Sequence, residues 1–286
     1  MIRAFHVNST RPFFMENNND YFIEDFEILT TVLSALMWRR LNGSIKLYTD
    51  NTGKKYYASL GLLDLWDDGI NTAVVENIPE SVNQQIFWAA AKIFALQAES
   101  TPIAMVDLDL IVWKNLSTEL KGKQFAVIHR EELHNNIYLS PDKLKTRSDY
   151  KFEPDWDWSE LPYNMSFAYI NNAIFKEYYT NSAIDFMIEN NDYPEETVSQ
   201  MVFAEQRIAA MCAKKTQTPV YHFLDDPYQI NNNIFTHIWG AKTAAKNNSK
   251  DKTTLCIALL QKVKEHFPEY YKRLNELEML KPYYNK

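Results

Sequence analysis

Glycine is scarce in this chain, with 6 residues in 286. That excludes glycine-rich repeats and collagen-like structure, and it gives each glycine local weight. Cysteine is scarcer still: Cys212 and Cys256 are the only two. They form no metal-ligand spacing and no disulfide framework, so a reducing compartment is the default expectation. Basic residues are outnumbered, 30 Lys and Arg against 37 Asp and Glu, for a net charge of −7. With no basic stripe, nucleic acid is not the expected partner. No apolar run reaches transmembrane length. The opening Met1-Ile2-Arg3-Ala4-Phe5-His6 has neither the apolar core nor the cleavage site of a secretion signal. A cytoplasmic location is expected, with no transmembrane segment and at most peripheral contact with a membrane.

What the chain does have is apolar bulk and aromatic rings. It is 46% hydrophobic and 14% aromatic, sufficient for one large α/β domain or two small ones. Aromatic side chains fill cores and also stack on sugar rings. No internal repeat and no flexible interdomain linker stand out.

The first half alternates strand and helix patterns. Ile2 to Val7 reads as a strand leading into the loop Asn8-Ser9-Thr10-Arg11-Pro12. Phe26, Leu29, Val32, Leu33, Leu36 and Met37 recur at helical spacing and stop at Asn42-Gly43. Ile45 to Thr49 is a second strand, closed by Asp50-Asn51-Thr52-Gly53. Leu60 to Trp66 predicts a short helix and Thr72 to Val75 a weak strand. Ser81 is a candidate cap for a helix whose apolar face is Ile86, Ala90, Ile93 and Leu96. The apolar run Ile103 to Trp113 then reads as a buried strand. Such alternation implies a largely parallel sheet covered on both faces, with ligands at the carboxyl ends of its strands. The second half is less regular. Strands are expected at Phe125–Ile128, Phe167–Ile170 and Tyr221–Leu224. Helices are expected over Tyr178–Glu189, Glu195–Lys214 and Thr253–Leu280, the last bent at Pro268. Between them lies the long, charged, aperiodic stretch Arg130–Pro162, and such stretches are commonly functional.

The central feature is Asp107-Leu108-Asp109 inside that apolar run. Buried carboxylates are costly without charge or hydrogen-bond compensation. Residues two apart on a strand share a side, so the pair can converge on one hard divalent ion, Mg2+ or Mn2+, whose shell phosphates commonly complete. The simpler alternative is a strand terminus whose acids face water.

Together with His237-Ile238-Trp239-Gly240-Ala241-Lys242, this motif makes the chain resemble the GT-A fold glycosyltransferases. The resemblance is to the glycogenin-like and lipopolysaccharide galactosyltransferase-like group and to bacterial capsular enzymes, over roughly residues 2 to 242. It implies an α/β, Rossmann-like, mostly parallel sheet with helices on both faces and a C-terminal helical segment. The catalytic domain would span 1–248, with a nucleotide-binding half to about 115 and an acceptor half beyond it; 249–286 would be a helical extension packed on the same domain. By the resemblance, Asp107 contacts metal and ribose, Asp109 and His237 are metal ligands, and Lys242 binds the donor diphosphate. Neutral imidazole suits Mn2+, glycine permits close backbone approach to phosphate, and lysine supplies a point charge.

The same resemblance marks Lys92 as a donor contact and Asn164 as part of a segment beside the donor sugar. There Met165-Ser166 stands where the family has a small residue and glycine. It places Glu205 and Gln206 at the reacting face, with Glu where the family commonly has Asp; a carboxylate there can bind acceptor hydroxyls or stabilise an oxocarbenium-like transition state. His6, Asn8 and Thr10 are placed by position in the nucleotide pocket, with Thr49 and Asp50 as looser candidates. Asp155-Trp156-Asp157-Trp158 reads as an acceptor platform or as an apolar loop anchor.

The implied reaction is metal-dependent transfer of a sugar from a nucleotide-diphosphate sugar, UDP-linked, to a glycan or glycolipid acceptor, as in capsule or lipopolysaccharide synthesis. Two alternatives remain. One is a non-catalytic sugar-nucleotide-binding protein of the same fold. The other is a haloacid-dehalogenase-like phosphatase, disfavoured because its Asp-x-Asp lies on the first strand of the domain.

Overall fold

The computed structural model describes the chain except residues 193, 195–196, 226–232 and 285–286. Strands β1 (Ala4–Asn8), β2 (Ile45–Thr49), β3 (Ile70–Asn71) and β4 (Ile103–Val106) form the parallel part of the main sheet. They are connected through helices α1 (Arg11–Glu16), α2 (Asp25–Leu41), α3 (Asn51–Ser59), α4 (Ala73–Glu76) and α5 (Ala90–Ala98). Strand β5 (Leu110–Val112) leaves this sheet. Strands β6 (Phe125–Val127), β7 (Phe167–Ile170) and β8 (Val220–His222) complete it, in the order β3-β2-β1-β4-β7-β6-β8. Only β7 runs against its neighbours. The sheet is therefore mostly parallel and helix-covered on both faces.

Burial on both faces explains the unbroken apolar strands. Ala4, Ile45, Leu47, Ala104 and Val106 face one core with α2. Phe5, Tyr48, Ile103 and Met105 face the other, with α5 and α6 (Ala173–Glu189). Helix α2 is buried almost all round from Phe26 to Trp38, the pattern of a helix covered on two sides. Its outer cover comes from α10 (Ser249–His266), which follows α9 (Trp239–Asn247) and precedes α11 (Pro268–Leu274). Cys256, Leu260 and Val263 join the α2 core, and Lys252 pairs with Glu24 at 2.8 Å and Asp25 at 3.0 Å.

Several local expectations change. The apolar run is not one strand. The chain turns after β4, with Leu110 N donating to Asp107 O at 3.1 Å, and β5 pairs antiparallel with β9 (Phe235–His237) in a separate two-stranded sheet. Asp107 and Asp109 therefore converge through a turn and not through strand alternation. The weak strand predicted at 72–75 is helix α4, because Asn71 Oδ1 accepts from Val74 N and turns the chain. Helix α5 begins at Ala90, beyond the Ser81 cap. Helix α6 begins at Ala173, where Asn172 Oδ1 caps Phe175 N. The expected Glu195–Lys214 helix appears as α7 (Val198–Val202), one wide turn (Phe203–Arg207) and α8 (Ile208–Lys215).

Candidate active site

The site lies where β1, β4 and β6 end, at the carboxyl edge of the sheet. The Asp107–Asp109 turn is held by backbone bonds on both sides: Asp107 N donates to Ser166 O at 2.8 Å, and Ile238 N donates to Asp109 O at 3.2 Å. The β5–β9 register sets His237 opposite Leu110. Three residues far apart in sequence are thereby fixed together. One ligand atom each from Asp107, Asp109 and His237 lies within 4.8 Å of the others. An ion bonded at about 2.0–2.6 Å spans roughly 4–5 Å between opposite ligands, so the cluster has the size of a single coordination sphere. Two carboxylates and an imidazole suit Mn2+ or Mg2+ chemically.

Two lysines flank this cluster. Lys92, in the first turn of α5, reaches Asp107 at 2.7 Å and Glu205 at 2.5 Å. Lys242, in the first turn of α9, reaches Glu27 at 2.8 Å and Asp109 at 3.6 Å. Burial pushes the Asp107 carboxyl up to about 6; Asp109 and Glu205 add to the rise, and Lys92 opposes it. Burial would raise Asp109 too, but its hydrogen bond to His237 and the charges of His237, Lys242 and Lys92 hold it down to about 2. Burial disfavours the charge on Lys92, and Asp107 and Glu205 outweigh it, so its pKa rises above the usual lysine value. Glu27 was not legible as a site residue. It is the third residue of α2, in the first turn, where it forms a capping box with Glu24, a pattern that marks helix starts and not ligands. An added Cβ at Gly240 would meet nothing within 4 Å, so packing does not demand glycine there.

Glu205 and Gln206 sit in the wide turn of the α7–α8 helix, where Ile208 N bonds back to Phe203 O. Such turns re-aim side chains and recur at functional sites. Glu205 is buried, and its carbonyl is satisfied by Tyr179 Oη at 2.7 Å. Gln206 Oε1 accepts from Tyr138 Oη at 2.6 Å. Asn164 Nδ2 donates to Glu131 Oε1 at 2.9 Å, and Asn164 Oδ1 accepts from Ser166 N at 3.2 Å. Glu131 and Tyr138 come from the long 130–162 stretch and had no motif to betray them. That stretch is tied to the α7–α8 helix by Arg207 Nη2 to Trp158 O and Gln200 Nε2 to Lys145 O, each at 2.7 Å.

The nucleotide-side candidates divide. His6 is not a pocket wall: it is fully buried, with both ring nitrogens engaged. Trp66 Nε1 can only donate, and it lies 3.2 Å from His6 Nδ1, so Nδ1 accepts and Nε2 carries the proton. Nε2 then donates to Ser34 Oγ at 3.0 Å, and Ser34 donates to Leu110 O at 2.6 Å. Burial pushes the His6 imidazole down to about 3, so it is neutral. This chain braces β5 directly behind Asp109. Asp50 is likewise structural: it caps α3 through Gly53 N at 2.8 Å and accepts from Thr10 N at 2.6 Å. Asn8 accepts from Tyr21 Oη at 3.0 Å, while its Nδ2 and Thr49 Oγ1 are buried with no partner among the described residues. Both face Gly53, where a Cβ would stand 2.1 Å from Thr49 Oγ1 and 3.2 Å from Asn8 Nδ2. The acceptor-platform reading of Asp155–Trp158 fails. Trp156 is buried in the second core, Trp158 stacks on Phe203 at 5.4 Å, and Asp155 pairs with Lys215. These residues anchor the loop.

Several solved structures are similar to part of this chain. Mouse xyloside xylosyltransferase 1, apo form, is 12% identical with a TM-score of 0.41, over 77% of this chain and 84% of that one. The apo-form glycosyltransferase GlyE of Streptococcus pneumoniae TIGR4 is 14% identical with a TM-score of 0.40, over 77% of this chain and 45% of that one. The galactosyltransferase LgtC, in complex with donor and acceptor sugar analogues, is 8% identical with a TM-score of 0.38, over 72% and 71%. No curated protein matches the chain by sequence. A family model described as a family of unknown function, DUF6734, matches residues 1–277, and the chain therefore belongs to that family.

Proposed function

We propose that the protein is a metal-dependent glycosyltransferase that moves a sugar from a UDP-linked donor to a glycan acceptor. The observation that carries this reading is the convergence of Asp107, Asp109 and His237 within 4.8 Å, flanked by Lys92 and Lys242. An acidic protein that handles a diphosphate needs cationic groups to offset repulsion, and this edge gathers them. Asp107, Asp109 and His237 would hold Mn2+ or Mg2+; when bound, the ion supplies positive charge against the negative charge growing on the leaving diphosphate. Lys242 and Lys92 would exchange part of their carboxylate pairing for diphosphate oxygens. Asn8 and Thr49, at the carboxyl ends of β1 and β2, would stand at the nucleotide side. Glu205 and Gln206 would act at the anomeric carbon or on acceptor hydroxyls, with Asn164 beside the donor sugar. The donor half would then run to about residue 115 and the acceptor half from there to about 248, with 249–286 bracing α2.

The test is a thermal-shift panel of nucleotide sugars with and without Mn2+, followed by transfer assays on a glycan panel. A Mn2+-dependent shift with a UDP-sugar is expected. Asp109→Asn should lower donor affinity on the order of 100-fold or more, beyond the ~10–100-fold typical of outer-sphere partners, and abolish turnover. Metal-dependent donor binding without turnover on any acceptor would favour the non-catalytic binding protein. Unchanged donor binding in Asp109→Asn would overturn the metal site.

A further inference from the structure

Among the described residues, ten large apolar side chains are exposed, and their placement is uneven. Eight of the ten, including Phe14, Met15, Phe22, Trp88 and Trp239, belong to connections at the carboxyl edge of the sheet; only Met1 and Ile174 lie at the opposite edge. Isolated exposed apolar residues need no explanation, but a group gathered on one face does. The densest part is an aromatic cluster just beyond β1. Phe13 packs edge-on against Phe14 at 5.4 Å, Tyr21 at 5.2 Å and Phe22 at 5.4 Å. Tyr21 packs on Tyr56 at 5.2 Å and donates to Asn8. The cluster is thus held rigidly, yet Phe14, Met15 and Phe22 stay 44%, 47% and 49% exposed. No residue of helix α1 is buried.

We propose that this edge rests in the headgroup region of a zwitterionic lipid bilayer, with Phe14, Met15 and Phe22 as its apolar anchor. Area argues against a second copy of the chain. These three side chains expose on the order of 300 Å² together, from roughly 200 Å² for each fully exposed residue. A stable protein partner covers about 800 Å² per side. Shallow insertion into an interface needs no such area, and Phe and other apolar side chains carry it there. Charge fits the same occupant. Exposed Lys54 and Lys55 stand beside Tyr56, and exposed Glu16 and Asp20 lie between Phe14 and Tyr21. The local signs balance, as do those of a phosphate-and-amine headgroup, and the protein's net charge of −7 works against anionic lipid. The candidate active site lies at this same edge of the sheet, so under the proposed function the acceptor would be met at the lipid surface. The surface stands apart from the transfer reaction, and its test needs no turnover.

The experiment is vesicle flotation of the full chain with phosphatidylcholine vesicles at physiological and 1 M salt. Wild type should float with the vesicles at both salt concentrations. The triple variant Phe14→Ser, Met15→Ser, Phe22→Ser should lose at least 5-fold of the bound fraction with an unchanged thermal midpoint, whereas Ile174→Ser on the opposite edge should float like wild type. The proposal is overturned if wild type stays unbound, if the triple variant floats equally well, or if high salt releases wild type. Light scattering that shows a dimer dissolved by the triple variant also overturns it, since a second copy would then cover the face.

Discussion

Two regions meet at the Asp107–Asp109 turn, and they hold their site residues differently. On one side, β1, β2 and β4 pair in continuous parallel register, and the groups behind the acids are buried. His6, Ser34 and Trp66 make a fully enclosed neutral hydrogen-bond chain that ends on Leu110 O. On the other side, two side-chain bonds, Tyr138 to Gln206 and Asn164 to Glu131, tie irregular segments to the wide helical turn and to one another, and all four residues are only partly buried. Buried chains of fully satisfied polar groups rigidify a site, and their disruption leaves orphaned atoms. Partly exposed contacts can exchange with water or ligand at small cost. The strand-built side is thus a fixed frame, and the side that carries Glu131, Tyr138, Asn164 and Gln206 is a surface whose contacts can exchange.

The strongest test of that contrast is Glu205→Gln. Glu205 bridges the two sides through Lys92. The variant should leave donor affinity within a few-fold of wild type and slow transfer on the order of 100-fold, the signature of an interaction that matters mainly in the transition state. Steady-state kinetics together with donor titration would show it; equal losses in both would make Glu205 part of the donor frame. Next comes Ser34→Ala, which leaves His6 Nε2 and Leu110 O without their partner. A loss of about 1–3 kcal/mol is expected from urea unfolding, the cost of an unsatisfied buried group. A change near zero would mean that the frame does not depend on the chain. Tyr138→Phe, which removes one part-buried bond to Gln206, should cost about 1 kcal/mol or less in stability by the same measurement.

The smallest effect near neutrality is the pH response of His6. Its folded pKa, about 3, lies below the ordinary histidine value of 6.5, so the unfolded chain takes up the proton first. The stability His6 provides is present in full above 6.5 and is lost progressively as pH falls from there toward about 3. At pH 6 the loss is a fraction of about 1 kcal/mol. Nitrogen-resolved NMR should find the His6 ring neutral with its proton on Nε2 at pH 5. A protonated His6 at pH 5 would contradict the enclosed chain.

The sequence by itself determined the class of fold and the acid motif. Period-two and period-3.6 patterns are local, and strands buried on both faces read as apolar runs whatever their neighbours. The spaced motifs Asp107-Leu108-Asp109 and His237 to Lys242 were visible because their residue types are chemically distinctive. Tertiary structure decided the rest. Strand alternation would bring the two aspartates together by a route the chain does not take, because the turn depends on backbone bonds with Ser166 and Ile238, which no local pattern encodes. His6 could be placed at a strand end from the sequence, but whether its ring faced a ligand or the core depended on Trp66 and Ser34, 60 and 28 residues away. Glu27, Glu131 and Tyr138 were silent for the same reason: a charged or aromatic side chain acquires a site role only through what the fold brings within hydrogen-bond reach, and that reach is set by packing across the whole chain.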